Sequence, residues 1–277
     1  MADDLQCCVV SCEKPLDQNY WDEQYQNNST GWDLGCIAPP IKDYFDTIED
    51  KSIAILIPGC GNSYEAEYLL AQGFTNITVI DFAPTLVENL KSKFKGNAPI
   101  NIILGDFFEL DKTFDLIVEQ TFFCALPPAM RQKYVWKMHQ LLSNNGKIAG
   151  LLFNRSFDVS PPFGGSKSEY ESLFAAAFEL MKIEICQNSL DKRKDSELTF
   201  EFQKNTNVLV QLYAFEGITC SGCKKTVSDL FLNIEGVKNV SMSSDFSEIL
   251  IVSTNEIPLP LLQSLISYDE KYKIVKI

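Results

Sequence analysis

Along the chain, short runs of apolar and β-branched residues alternate with longer stretches whose apolar positions recur every three or four residues. Ser52 to Pro58, SIAILIP, is almost wholly apolar and runs into a glycine-containing turn, which predicts a buried strand. NSYEAEYLLAQG carries helical spacing and closes on Gly73, a common helix stop. NITVID predicts a second strand, and APTLVENLKSKFKG, with proline near its start and glycine at its end, a second helix. INIILGDFF and FDLIVEQ predict two more strands. PPAMRQKYVWKMHQLLSNNG predicts a helix entered through prolines and closed by Asn-Gly, and KIAGLLF the strand after it. SKSEYESLFAAAFELMKIEICQNSL holds a further helix and strand, and ELTFEFQK a last strand. Strands alternating with helices in this way predict an α/β fold, a parallel Rossmann-like sheet with helices on both faces.

A polar stretch, KNTN (Lys204 to Asn207), then interrupts the pattern, and the boundary between two domains is placed there: 1–205 and 206–277. The tail repeats the alternation at smaller scale. VLVQLYAF, VKNVSMS, SEILIVS and YKIVKI predict strands; SGCKKTVSDLFLNI and LPLLQSLIS predict helices. The order βαββαβ predicts a small ferredoxin-like domain.

Composition narrows the function. Hydrophobic residues make up 45% of the 277, enough for a sizeable core. A formal net charge of −13 argues against nucleic acid and against an anionic membrane surface as partners. No apolar run reaches the length of a bilayer span and MADDLQCC lacks the signal-peptide pattern, so a cytoplasmic protein is expected. Nine cysteines in that compartment are expected to be reduced: buried, reactive or metal-binding. The single histidine, His139, excludes a His-rich zinc site and is expected to be a structural residue at or near the surface.

The turn after the first strand reads PGCGNS. Without a Cβ at Gly59 and Gly61, backbone can approach a ligand closely, although an ordinary tight turn also suits glycine. Asp81 ends the next strand, about 20 residues on, where an acid accepts hydrogen bonds from ribose hydroxyls; a helix N-cap is its other reading. Asp106 and Phe107, after the third strand, suit an adenine amino group and ring edge. The third glycine of the dinucleotide pattern is replaced by Tyr64, which disfavours NAD and favours a nucleoside cofactor without phosphates, S-adenosylmethionine.

ILIPGCGNSYEAEYLL, VIDFAPTLVENL, GDFFEL and FDLIVEQTFFCALPPAMR, preceded by NYWDEQYQNNSTGWDLG, together resemble the thiopurine methyltransferase superfamily, and within it the thiol, thiocyanate and halide methyltransferase branch. The resemblance runs from about Asn19 to Lys204. It implies that Trp21, Tyr25, Trp32, Gly59, Gly61, Asp81, Asp106, Phe107 and Glu119 or Gln120 line the cofactor site, under an aromatic N-terminal cover. Tyr25 stands where plant members tend to have a second Trp, and Phe163 where they tend to have Tyr, so the plant acceptors do not carry over directly. A thiolate, hydrosulfide or halide acceptor is already anionic and needs alignment and exclusion of water rather than a strong base. Phe122, Phe123, Phe157 and Phe163 would supply such a site, with Phe123, Arg155 and Phe163 as acceptor-pocket candidates and Arg155 steering an anion, or remaining a solvated loop residue.

In the tail, GITCSGC places Cys220 and Cys223 at a predicted helix N-terminus, where thiol pKa falls and two thiolates suit a soft ion. Val208 to Ile277 resembles the heavy-metal-associated domain of copper chaperones and metal-pumping ATPases, with Ile218 where Met is frequent. No acidic residue lies between or beside the cysteines, which favours Cu(I) over zinc, and the resemblance implies a metal chaperone or metal donor protein as partner; a redox pair, or a domain kept for packing or dimerisation, are the other readings. Cys7, Cys8 and Cys12 either add thiolates or belong to an untidy terminus, and Cys36, Cys60, Cys124 and Cys186 are expected to be buried. The expected function is an S-adenosylmethionine-dependent methyltransferase acting on a thiol, halide or other soft nucleophile, with a metal-binding tail. The alternative is a metal-binding regulatory protein that holds the cofactor without turnover.

Overall fold

The computed structural model describes residues 15–96 and 99–277; Cys7, Cys8 and Cys12 lie outside the described residues. Two helices that the apolar pattern does not announce come first, α1 (Gln18–Gln26) and α2 (Pro39–Asp46). α1 is polar with no buried residue, capped by Asp17, whose carboxylate accepts from the Tyr20 amide at 2.9 Å. Then follow β1 (Ile55–Pro58), α3 (Tyr64–Ala71), β2 (Ile77–Asp81), α4 (Pro84–Lys93), β3 (Ile100–Leu104) and β4 (Phe114–Gln120). α5 (Arg131–Leu141), β5 (Leu142–Phe153), α6 (Lys167–Phe174), β6 (Phe178–Ile185) and β7 (Glu197–Lys204) complete the larger unit.

These strands form one sheet in the order β3-β2-β1-β4-β5-β7-β6. Alternate residues of β1 enter different cores, as the pleat requires. Ile55 and Ile57 pack with Phe45, Leu69, Leu86 and Leu90 of α2, α3 and α4, while Leu56 packs with Val135, Met138 and Phe174 of α5 and α6. The sheet is Rossmann-like but mixed, which corrects the all-parallel expectation: β7 runs antiparallel between β5 and β6. A short connection joins β6 to β7, and a connection without a crossover helix can only return antiparallel. The Asn-Gly pair expected to close α5 lies instead inside β5, whose start pairs Leu142 with Phe114 before a register shift.

His139 is not at the surface. It is 7% exposed, its Nε2 lies 3.1 Å from the Asn205 carbonyl, and its ring meets Phe178 edge-on. Burial lowers its pKa to about 4 and keeps the ring neutral.

The remaining chain forms β8 (Leu209–Glu216), α7 (Ser221–Leu232), β9 (Val237–Met242), β10 (Glu248–Ser253), α8 (Leu259–Ile266) and β11 (Lys273–Lys276). Its four strands make a separate antiparallel sheet, β11-β8-β10-β9. One face, with Tyr213, Phe215, Ile249 and Ile251, packs on Val227 and Phe231 of α7 and Leu262 and Ile266 of α8. The other face, with Leu212, Leu250 and Val252, joins the core of the larger unit through α5, which touches both β8 and β10. α5 is therefore sandwiched between two sheets, which is why eight of its residues, His139 and Lys137 among them, are buried. Among the described residues, no helix is long and apolar enough to cross a membrane.

Candidate active site

A cavity of about 720 Å³ opens at the C-terminal ends of β1, β2, β4 and β5, where open α/β sheets bind ligands. β1 runs out into Gly59 and Gly61, at φ +53° and +50°, a left-handed turn that glycine enters without strain. A Cβ on Gly59 would overlap the Cδ2 edge of the Phe122 ring, so the turn and the β4 loop close on each other with no room for a side chain. Asp81 Oδ1 accepts from the Ala83 amide at 3.0 Å, and burial raises the carboxyl to about 6. Asp106 Oδ1 accepts from the Phe108 amide at 2.8 Å, and the ring of Phe107 meets that of Phe122 at 5.1 Å. Both acids thus shape their own turns while also lining the cavity.

α1 and the loop after it form a cover. Trp32 sits edge-on to Trp21 at 5.4 Å and to Tyr25 at 5.9 Å. Polar ties fasten this cluster to the rim. Gln18 Nε2 donates to the Phe82 carbonyl at 2.6 Å, and the Thr85 amide donates to Asp22 at 2.7 Å. From the turn before β7, Arg193 Nη2 donates to the Trp32 carbonyl at 2.6 Å and Lys192 Nζ to the Asp33 carbonyl at 3.2 Å. Asn62 bonds to Asp33 across the mouth. Desolvation and the nearby Asp81 hold the Tyr25 hydroxyl far above its ordinary range, so it remains protonated.

Trp21, Tyr25, Trp32, Gly59, Gly61, Asp81, Asp106, Phe107 and Gln120 all line this one cavity, as does Arg155. Glu119, Phe123 and Phe163 do not. Glu119 is fully buried behind the wall, with Oε1 accepting the Phe122 and Phe123 amides at 2.8 Å each and Oε2 the Tyr134 hydroxyl at 2.5 Å. Successive strand residues point to opposite faces, so Gln120 reaches the cavity and Glu119 cannot. Burial raises the Glu119 carboxyl to about 7. Phe123 faces the core, packed on Tyr134 at 4.9 Å and on Tyr170 at 5.7 Å. Phe163 fixes the loop by donating its amide to the Cys124 carbonyl at 2.6 Å. Their neighbours Phe122, Pro161 and Pro162, with Phe153 and Phe157, provide the apolar wall instead, and the Arg155 guanidinium lies 4.7 Å over the Phe157 ring.

Sequence reasoning also missed Ser63, Glu65, Lys192 and Arg193, which line the cavity. The last two lie more than a hundred positions from the glycine turn, and no local pattern marks them. Cys36, expected to be buried, is exposed at the cavity, whereas Cys60, Cys124 and Cys186 are buried. Ser63 Oγ and Gln120 Oε1 are buried with no hydrogen-bond partner among the described residues. Orphaned polar atoms beside a glycine turn, two acids and an aromatic cover fit an adenosyl cofactor carrying an amino acid.

In the tail, Cys220 is the N-cap of α7; its sulfur accepts from the Cys223 amide at 3.4 Å and lies 3.3 Å from the Cys223 sulfur. A hydrogen bond from Tyr272, then one from Cys220, lowers the Cys223 thiol to about 7. Among the described residues no group of three or more His, Cys, Asp or Glu side chains is arranged to hold a metal ion.

Residues 16–211 match the family model of thiopurine S-methyltransferase. A probable thiol methyltransferase 2 of Arabidopsis thaliana is 32% identical over 67% of this chain and 85% of its own length. A thiopurine S-methyltransferase of Acinetobacter baylyi is 27% identical, over 64% and 93%. The solved 1,6-didemethyltoxoflavin-N1-methyltransferase of Burkholderia thailandensis, with bound S-adenosylhomocysteine, shares the fold at a TM-score of 0.56 and 17% identity, covering 69% of this chain and 88% of that one. The family match stops early in β8 and leaves most of the tail outside it. With the family spanning every wall of the cavity, the chain belongs to the thiopurine S-methyltransferase family, as an S-adenosylmethionine-dependent S-methyltransferase.

Proposed function

We propose that the protein methylates a small, soft nucleophile that arrives as an anion, a thiolate, hydrosulfide, thiocyanate or halide, and that its tail holds Cu(I) between Cys220 and Cys223. One observation supports the acceptor class above others. The half of the cavity built by the loops after β4 and β5 is walled by Phe122, Phe153, Phe157, Pro161 and Pro162, with Arg155 at its edge, while the chain's one histidine is buried on α5. Bound S-adenosylmethionine would supply an electrophilic methyl group. Asp81 and Asp106 would hold its sugar and base, and Gly59 and Gly61 would admit it against the backbone. With the cofactor bound beneath the aromatic cover, water would be displaced from the reacting centre and the nucleophile left poorly solvated, while Arg155, exposed at the edge of the cavity, would draw the anion toward it. An anionic acceptor needs no proton removed, so the wall of Phe122, Phe153, Phe157, Pro161 and Pro162 needs no general base set into it.

The tail reading rests on two features. The element order βαββαβ and the antiparallel strand order β11-β8-β10-β9 support a ferredoxin-like domain beginning near residue 206, and Cys220 and Cys223 sit at the start of the first helix of that segment. The lowered Cys223 thiol favours the thiolate that a soft metal binds.

Headspace analysis of purified protein incubated with S-adenosylmethionine and hydrosulfide, thiocyanate, iodide or small thiols tests the first part. Volatile methylated product is expected; a silent panel with confirmed cofactor binding would refute the small soft acceptor. A Cys220→Ser, Cys223→Ser variant is expected to lose Cu(I) binding and keep the methyl-transfer rate. Retention of Cu(I) at parental affinity would place the metal elsewhere.

A further inference from the structure

Glu65 stands in the first turn of α3, is 5% exposed and lines the cofactor cavity. The other buried carboxylates have donors from other residues: Glu119 takes two amides and the Tyr134 hydroxyl, Asp81 the Ala83 amide, and Glu197 the Arg193 guanidinium. Among the described residues, the only hydrogen bond to the Glu65 carboxylate comes from its own amide. The charges that face it are already engaged or like-signed. Arg193 is held by Glu197 and the Trp32 carbonyl, and Lys93 by Glu67 and the Asn62 carbonyl. Asp33, from the cover, repels it, and the buried Cys60 thiol adds nothing positive. Burial therefore pushes the Glu65 carboxyl up to about 7. Two positions before it, Ser63 Oγ is buried and has no hydrogen-bond partner among the described residues.

A buried carboxylate without a cation is costly, and a cavity-lining one is relieved when a cationic ligand group arrives. Position says which group. Asp106 follows β3, Asp81 follows β2 and Glu65 follows β1, three acids in a line across adjacent strands. If base and sugar lie at the first two, the far end of the cofactor lies at the third. We infer that Glu65 is the positioning residue for the α-ammonium group of the cofactor's amino-acid portion, and that it makes the site discriminate complete S-adenosyl compounds from truncated nucleosides. The inference rests on the family's cofactor and adds a recognition element to it.

Calorimetric titration of the parent and a Glu65→Gln variant with two ligands tests it. S-adenosylhomocysteine carries the ammonium; 5′-methylthioadenosine is a nucleoside thioether that lacks the amino acid. The variant is expected to lose S-adenosylhomocysteine affinity by about 10- to 100-fold, the effect of removing a hydrogen bond between charged groups. Its 5′-methylthioadenosine affinity is expected to stay unchanged, which also shows that the variant is folded. Parent affinity for S-adenosylhomocysteine is expected to rise from pH 6 to pH 8 as Glu65 ionises, with a shallower rise in the variant. Asp81 and Glu119 titrate near that window in both proteins, so the difference between the profiles isolates Glu65. Retained S-adenosylhomocysteine affinity, an equal loss of both ligands, or identical pH profiles would overturn the role. A parent that binds no S-adenosylhomocysteine would overturn the cofactor itself, and this inference with it.

Discussion

Removing one hydroxyl, in Tyr134→Phe, probes how the cavity wall is held. The Tyr134 hydroxyl donates to Glu119 Oε2 at 2.5 Å, while Oε1 of the same carboxylate accepts the amides of Phe122 and Phe123, and Phe122 lines the cavity. Without the hydroxyl, Oε2 is left unpartnered in a fully buried position, at a cost of about 2 kcal/mol for a charged acceptor. The cost depends on pH, because protonation relieves it. The native hydrogen bond lowers the Glu119 pKa against the burial that raises it to about 7, so its loss moves the folded-state value further up. A carboxyl raised on folding binds protons more tightly in the native state, and stability falls as pH rises from the unfolded value through the folded one. Parent and variant therefore differ most above pH 7 and least below it. Thermal unfolding is expected to show the variant about 4–6 °C less stable at pH 8.5, with a clearly smaller gap at pH 5.5. An equal gap at both pH values, or none at pH 8.5, would refute the reasoning that an ionisable Glu119 anchors the loop.

Gly59→Ala drives a Cβ into the edge of the Phe122 ring and forces a left-handed φ on alanine, so we expect a loss of about 1–3 kcal/mol and at least tenfold weaker S-adenosylhomocysteine binding; parental affinity by titration would contradict the close approach. His139 is held near pKa 4, against 6.5 in the unfolded chain. A base depressed on folding keeps its contribution above the unfolded value and loses it as pH falls through the folded one. His139→Gln is therefore expected to flatten the stability loss between pH 6.5 and 4 by about 3 kcal/mol, read by urea unfolding; parallel curves would rule this out.

The glycine turn, Asp81, Asp106 and Phe107 were legible because each is set by a short local pattern: a strand end, a turn and a residue that the turn exposes. The aromatic cover was legible through the family resemblance, but its helix was not, since α1 buries nothing and has no apolar stripe to announce it. Glu119 and Gln120 show the limit of local reading. Both sit at the end of one strand, and only the face each presents decides that Gln120 lines the cavity and Glu119 braces the loop behind it. Phe122 and Phe123 divide in the same way.

By itself, the sequence determined the alternation of strands and helices, the two sheets and the glycine turn that lines the cavity, because these follow from periodicity and from conformations that only certain residues adopt. Tertiary structure alone decided the rest. The reversal of β7 follows from a connection too short for a crossover, and the role of Arg193 from a turn that meets the cover across the mouth of the cavity. The docking of the tail on α5 follows the same logic. β8 and β10 are apolar on both faces, and the tail's own helices can cover only one; the second face found its partner in a helix of the other unit. A polar linker in the sequence marks where the chain changes sheet, but only packing shows whether the two sheets part or share a core.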